Sequence, residues 1–165
     1  MEVHPRKKVV VALTIIYDSR EKPRAIKKIL ATFDREGVEY VRRALNFADY
    51  FNPDNPGIVI DRKRNLLEVC SNVVQERNRF LREVERCNRA GCHLVVLVEH
   101  SPQIKQLEDV IRWKNPRLKV SPLAVSGERL FKIMQAMATR YGIEWQFCGK
   151  AQTGKRIIEI LEAKT

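Results

Sequence analysis

The stretch that most restricts the fold is HLVVLVE, residues 93 to 99. Its apolar character is nearly unbroken where a half-exposed strand would alternate. It reads as a strand buried on both faces, inside a sheet that helices cover above and below. The rest of the chain supplies such elements. VVVALTIIY (9–17) reads as another buried strand. Pro23 sits where a first helical turn accepts it, and apolar residues at 25, 26, 29, 30 and 33 mark a helix closed by Gly37. VEYVRRALNF (38–47) predicts a second strand, ADYFNPDNPG (48–57) a turn region, and GIVIDRKR (57–64) a third strand. One long helix is expected over 65–90, ended by Gly91, and another over 104–113, stopped by Asn115 and Pro116. Ser126 is placed to cap GERLFKIMQAMATRY. IEWQFC (143–148) predicts the last strand, and 151–164 a last helix capped near Thr153. Alternating strands and helices give an α/β domain with a central mixed sheet.

With 165 residues and 44% hydrophobic content, one domain with a substantial core is expected over 9–165, preceded by a basic tail at 1–8. The formal net charge is +11, which points to a polyanionic partner, nucleic acid being the commonest. Cys70, Cys87, Cys92 and Cys148 match no zinc spacing and read as reduced thiols. No apolar run reaches the roughly 18 residues a membrane span needs. The apolar run after MEVHPRKK is broken by Thr14 and ends in YDSRE without a small-residue cleavage site, so no signal peptide is expected. A cytoplasmic protein, bacterial or in a phage-infected cell, is the expectation. GKAQTGK lacks the spacing of a phosphate-binding P-loop.

GIVIDRKR carries the chemistry. A buried strand runs into charge without a turn, and Asp61 and Lys63, two apart, share one sheet face. Asp49 precedes Asp61 by twelve residues across the turn region, so a hairpin can bring them together. Asp18 ends the first strand. Phosphodiester hydrolysis needs a hard cation to polarise the phosphate and acidify a water. Mg²⁺ takes oxygen ligands, often only two carboxylates, and a lysine can orient the water or hold developing charge. Asp49 and Asp61 are therefore the candidate ligands for Mg²⁺ or Mn²⁺, with Lys63 beside them. The same D-x-K also suits a solvated strand end.

The pattern of Asp, then (D/E)-x-K on the next strand, resembles the PD-(D/E)xK nuclease superfamily. LNFADY, IVIDRKR, ERNRFLREVERC and LVVLVE also follow the order and spacing of the XPF-type (ERCC-four) structure-specific endonuclease domain. Asp49 falls on the Asp of its G-D-Y, and Asp61, Arg62 and Lys63 fall on its E-R-K. Arg79 falls on its helix arginine, and Glu83 where that helix carries Gln. YDSRE resembles its opening D-x-R-E, placing Asp18, Arg20 and Glu21 near the site. The resemblance covers about residues 9 to 100 well and the last third more loosely. It is strongest to small stand-alone bacterial and phage versions.

The resemblance implies a restriction-endonuclease-like fold, with a central mixed sheet flanked by helices, and a Mg²⁺- or Mn²⁺-dependent DNA endonuclease acting on branched, flap or junction DNA. Asp49 and Asp61 would be metal ligands, Asp18 a further acid, and Lys63 the residue that positions or activates water. Arg20, Arg62 and Arg79 would hold phosphate or brace the acids. Glu21, Glu68 and Glu83 are accessory candidates, Glu68 as a substitute for the family carboxylate that Leu67 replaces. Two departures stand out: Ala48 in place of Gly, and Asp61 in place of Glu. The Asp61 and Leu67 changes leave open a catalytically weak or inactive DNA-binding module, or a subunit pairing with an active nuclease. A homodimer or a nuclease-like partner is compatible by analogy; a membrane is not expected.

Overall fold

The computed structural model describes residues 12–100 and 102–163; the expected tail at 1–8 lies outside them. Six strands form one mixed sheet in the order β2-β1-β3-β4-β5-β6. β1 (Thr14–Asp18) pairs parallel with β2 (Glu39–Arg43) and antiparallel with β3 (Tyr50–Asn52). β3 turns through Pro53 and Asp54 into β4 (Asn55–Lys63), its antiparallel neighbour. β5 (His93–Glu99) and β6 (Glu144–Cys148) continue the sheet in parallel.

β5 meets its expectation on both faces. Leu94, Val96 and Val98 face one apolar layer with Leu66, Phe80, Val84, Leu130 and Met134. Val95 and Leu97 face the other, with Ile26, Ile29, Phe33, Ile157 and Leu161. The first layer is supplied by α2 (Leu66–Cys70), α3 (Arg77–Arg89) and α4 (Gly127–Tyr141). The second comes from α1 (Pro23–Arg35) and α5 (Thr153–Glu162). These last two approach closely at Gly154, where a Cβ would lie 2.8 Å from Thr32 Cβ.

Five expectations needed correction. The first strand starts later than expected within the described residues, at Thr14, with Ala12 and Leu13 outside regular structure. The turn region contains a strand: Tyr50 and Phe51 pair on both sides, so the hairpin joins β3 to β4, not the strand at 39–43 to β4. The stretch at 65–90 is not one α-helix, because a π-helical turn over Ser71–Gln75, with Glu76 N–H donating to Ser71 carbonyl at 2.8 Å, separates α2 from α3. That turn shifts the helical register, so α3 presents a different face from the one a continuous α-helix would. The segment 104–113 forms only a 3₁₀ stretch, Leu107–Arg112. Ser126 caps α4 as expected, accepting from Arg129 N–H at 3.2 Å, whereas Thr153 is the first residue of α5 and Gln152 its cap. Trp145 packs in the core and donates its indole N–H to Met134 carbonyl at 2.9 Å. His93 meets Glu144 at the surface, at 2.6 Å.

Candidate active site

The carboxyl ends of β1 and β4 and the start of β3 open into one cavity of about 310 Å³. All ten candidate residues line it: Asp18, Arg20, Glu21, Asp49, Asp61, Arg62, Lys63, Glu68, Arg79 and Glu83. Two antiparallel neighbours and one turn achieve this. Asp49 immediately precedes β3, with its N–H donating to Ile60 carbonyl at 2.8 Å and its carbonyl accepting from Asp18 N–H at 2.8 Å. The main chain thereby fixes Asp49 between the ends of β1 and β4.

Two acids and one lysine form the floor. Lys63 Nζ lies 2.9 Å from Asp61 Oδ2, as their shared strand face requires. Asp61 Oδ2 is nevertheless buried without a hydrogen-bond partner, so the lysine contact is ionic but poorly directed. Asp49 Oδ2 accepts from Arg62 N–H at 2.9 Å. Burial above all, then the Asp61 and Glu21 carboxylates, push the Asp49 carboxyl well above the usual range, against the pull of that N–H. Burial works against the charge on Lys63, yet Asp61 and then Asp49 outweigh it and hold its pKa above the usual value. Lys63 is therefore an ammonium at neutral pH.

Arg62 lies on the opposite face of β4 and is the deepest cation of the site. Its Nε and one NH2 nitrogen donate to the two oxygens of Glu21 at 3.1 and 2.5 Å, and its other nitrogen donates to Glu99 at 2.8 Å. The three side chains are each 6% exposed or less. Arg62 thus braces acids, with all three of its nitrogens engaged. Glu99, at the end of β5, is a satisfied strand-end charge with Arg62 as its partner. Asp18 is also engaged, accepting from Arg20 Nε at 2.7 Å and Leu45 N–H at 3.2 Å. Both of its oxygens hold the wall of the cavity in place.

The rim is more open. Arg20 and Arg79 are mostly exposed, Arg79 leaning on Glu76 at 3.1 Å. Glu68 accepts from Arg64 N–H at 2.8 Å and Glu83 from Ala48 N–H at 2.9 Å. Ala48 has φ +60, a left-handed conformation that favours glycine. Lys22 and Arg64 also line the cavity and were missed. The charged run through Arg64 was the signal for one; for Lys22 only its place beside Glu21 could have served.

Among the described residues, no three or more His, Cys, Asp or Glu side chains converge as a metal cage. The pair Asp49 and Asp61 is a different kind of site. It holds a buried oxygen without a hydrogen bond and a carboxyl that resists ionisation beside another carboxylate. A small hard cation, completing its shell with water, fits those two defects.

The family model of the ERCC4 domain matches residues 17–159. Among solved structures, the chain is similar to XPF from Aeropyrum pernix at 20% identity and TM-score 0.60, covering 90% of this chain and 59% of that one. It is similar also to XPF from Aeropyrum pernix in complex with DNA, at 17% identity and TM-score 0.63, covering 90% and 63%. The chain therefore spans about three-fifths of the length of these structures. At such identities the likeness is one of fold, the restriction-endonuclease-like sheet with flanking helices. No curated protein matches the chain.

Proposed function

The chain belongs to the ERCC4 domain family, and from that premise we propose that it is a metal-dependent DNA endonuclease acting on branched, flap or junction DNA. The observation that carries the reading is the floor of the cavity: two adjacent acids, one with an unsatisfied buried oxygen, beside a charged lysine. Asp49 and Asp61 would hold Mg²⁺ or Mn²⁺. When bound, the ion supplies Lewis-acid polarisation of the phosphate and a more acidic water.

The chain's own groups do the rest. Lys63 stays protonated, so it suits orienting the water and balancing negative charge on the phosphate better than removing a proton. Arg62 fixes the end of β4 from behind, through Glu21 and Glu99, while its N–H aims Asp49. Arg20 and Arg79 stand at the rim where a DNA backbone would enter. The electrostatic partner is DNA, in keeping with the net charge of +11. Among the described residues no helix is long and apolar enough to cross a membrane.

A second reading has one observation behind it. Asp61 is already paired to Lys63, so the site also suits a weak or inactive nuclease that binds DNA or supports an active partner chain. Cleavage of labelled duplex, single-stranded, flap and four-way DNA, with Mg²⁺, Mn²⁺ or EDTA, separates the two. Wild type should cut only with metal, and Asp61→Ala should lose on the order of a thousandfold in rate, the scale of losing a group that acts directly on the transition state. Salt-sensitive binding without cutting under any metal would leave the second reading.

A further inference from the structure

A second basic surface lies outside the cavity. Arg77, Arg129, Lys132 and Arg140 line a groove of about 340 Å³ between the start of α3 and one face of α4, floored by Met137 and Tyr141. Positions 129, 132, 136 and 140 are three or four apart, so they form one stripe along the helix. Among the described residues, no carboxylate pairs with Arg77, Arg129 or Arg140; Lys132 meets Glu128 at 3.7 Å, with both side chains exposed. Arg140 lies over the Tyr141 ring, 5.5 Å from its centre. In the cavity, by contrast, Arg62 and Lys63 are both buried against acids.

Arg77 shows that the two surfaces adjoin. Sequence spacing groups it with Arg79, Arg82, Arg86 and Arg89, but two residues along a helix point to nearly opposite sides. Arg79 lines the cavity while Arg77 lines the groove. The first turn of α3 is thus the ridge between them.

We propose that this groove binds the backbone of a nucleic acid duplex alongside the segment held at the cavity. Arg129 to Arg140 span about 16 Å of helix, at 1.5 Å per residue. One DNA strand places a phosphate every ~3.4 Å of duplex axis, so the stripe matches about five steps of backbone. Exposed, unpaired cations with long side chains suit phosphates, which need charge and reach but no fixed direction. A second copy of this chain fits poorly, because its own four cations would face these. The groove is separate from the metal-binding reading and does not require it.

The test is fluorescence anisotropy of labelled duplex in EDTA, from about 50 to 200 mM salt, comparing wild type with Arg129→Gln/Lys132→Gln/Arg140→Gln. Each phosphate contact adds about 0.9 to the slope of log K against log salt. The triple variant should lower that slope by about 2 to 3 and weaken binding tenfold or more at low salt. A control triple on α1, Arg24→Gln/Lys27→Gln/Lys28→Gln, removes the same charge from an exposed face and should keep the wild-type slope. Thermal melts confirm that both variants are folded. Wild-type affinity and slope in the α4 triple would overturn the proposal and leave the groove to an acidic protein surface. An equal loss in the α1 triple would overturn it too, by making net charge the whole effect. Failure of wild type to cut DNA, with the slope difference intact, would sink the nuclease reading and leave the groove standing.

Discussion

In the cavity, Arg62 gives three nitrogens to Glu21 and Glu99, and Lys63 lies against Asp61, all of them buried. Along α4, Arg129 and Arg140 reach solvent with no acid among the described residues paired to them. Both regions are basic by composition, yet they are built for different work. Burial with a partner fixes a cation in position at the cost of its freedom to meet a ligand. Exposure without one leaves it free to meet a phosphate, and its contribution to affinity falls as salt rises. Net charge alone cannot tell these uses apart; partner and depth can.

The sharpest way to break that comparison is to remove a cation from each region. Arg62→Met leaves Glu21 and Glu99 buried without their partner. Breaking a buried pair this way costs about 3–5 kcal/mol, because the stranded charge loses more than the contact was worth. Urea unfolding should show that loss, and Arg62→Met/Glu21→Gln/Glu99→Gln should recover much of it. Arg140→Gln on α4 should change stability by less than about 0.5 kcal/mol. Equal effects at the two sites would mean that the buried brace is not one.

The contrast between these cations was only half legible in the sequence. Strand alternation placed Asp61 and Lys63 together and sent Arg62 to the other face, as found. It could not show that Glu21, after β1, and Glu99, ending β5, converge there, because that meeting depends on strand order. The order itself was hidden by Tyr50–Asn52, too short for alternation to be read and set among Asn, Asp and Pro. Arg77 and Arg79 serve different surfaces for a related reason: helical angle, which composition does not show, decides which way each arginine faces. The fold class needed none of this, since β5 alone required helices on both faces.

A second, smaller effect probes the cavity floor without metal. The Asp49 carboxyl is held above its usual pKa by burial, then by Asp61 and Glu21. A raised folded value means that the folded protein keeps a proton that the unfolded chain releases. Stability should therefore fall as pH rises from the unfolded carboxylate range, near 4, through the higher folded value. Asp49→Asn should remove that fall and gain about 1 kcal/mol at neutral pH, the usual scale of relieving a functional site, with no gain near pH 3. Thermal melts across pH read it directly. Wild type should also release protons when Mg²⁺ is added in weak buffer below the folded Asp49 value, and the variant should release fewer. A pH-independent difference between the two proteins would show that neither burial nor the neighbouring carboxylates raise Asp49 in the folded protein.

The smallest expected effect concerns Ala48, beside Asp49. Its φ of +60 costs an L-residue about 1–2 kcal/mol, while glycine adopts it freely. Against that relief stand the extra freedom glycine gives the unfolded chain, about 0.4–1 kcal/mol, and loss of a buried methyl. Ala48→Gly should thus shift stability by less than about 1 kcal/mol in either direction in urea. The backbone N–H remains to meet Glu83, so the position of Asp49 should hold and DNA cleavage stay within about twofold. A destabilised variant with normal cleavage would mean that the methyl's packing outweighs the strain. A stable variant with impaired cleavage would mean that the alanine, by stiffening the turn, helps to aim Asp49. The second result would place the rigidity of the cavity in the turn before β3 as well as in the Arg62 brace, a feature that the exposed face of α4 lacks.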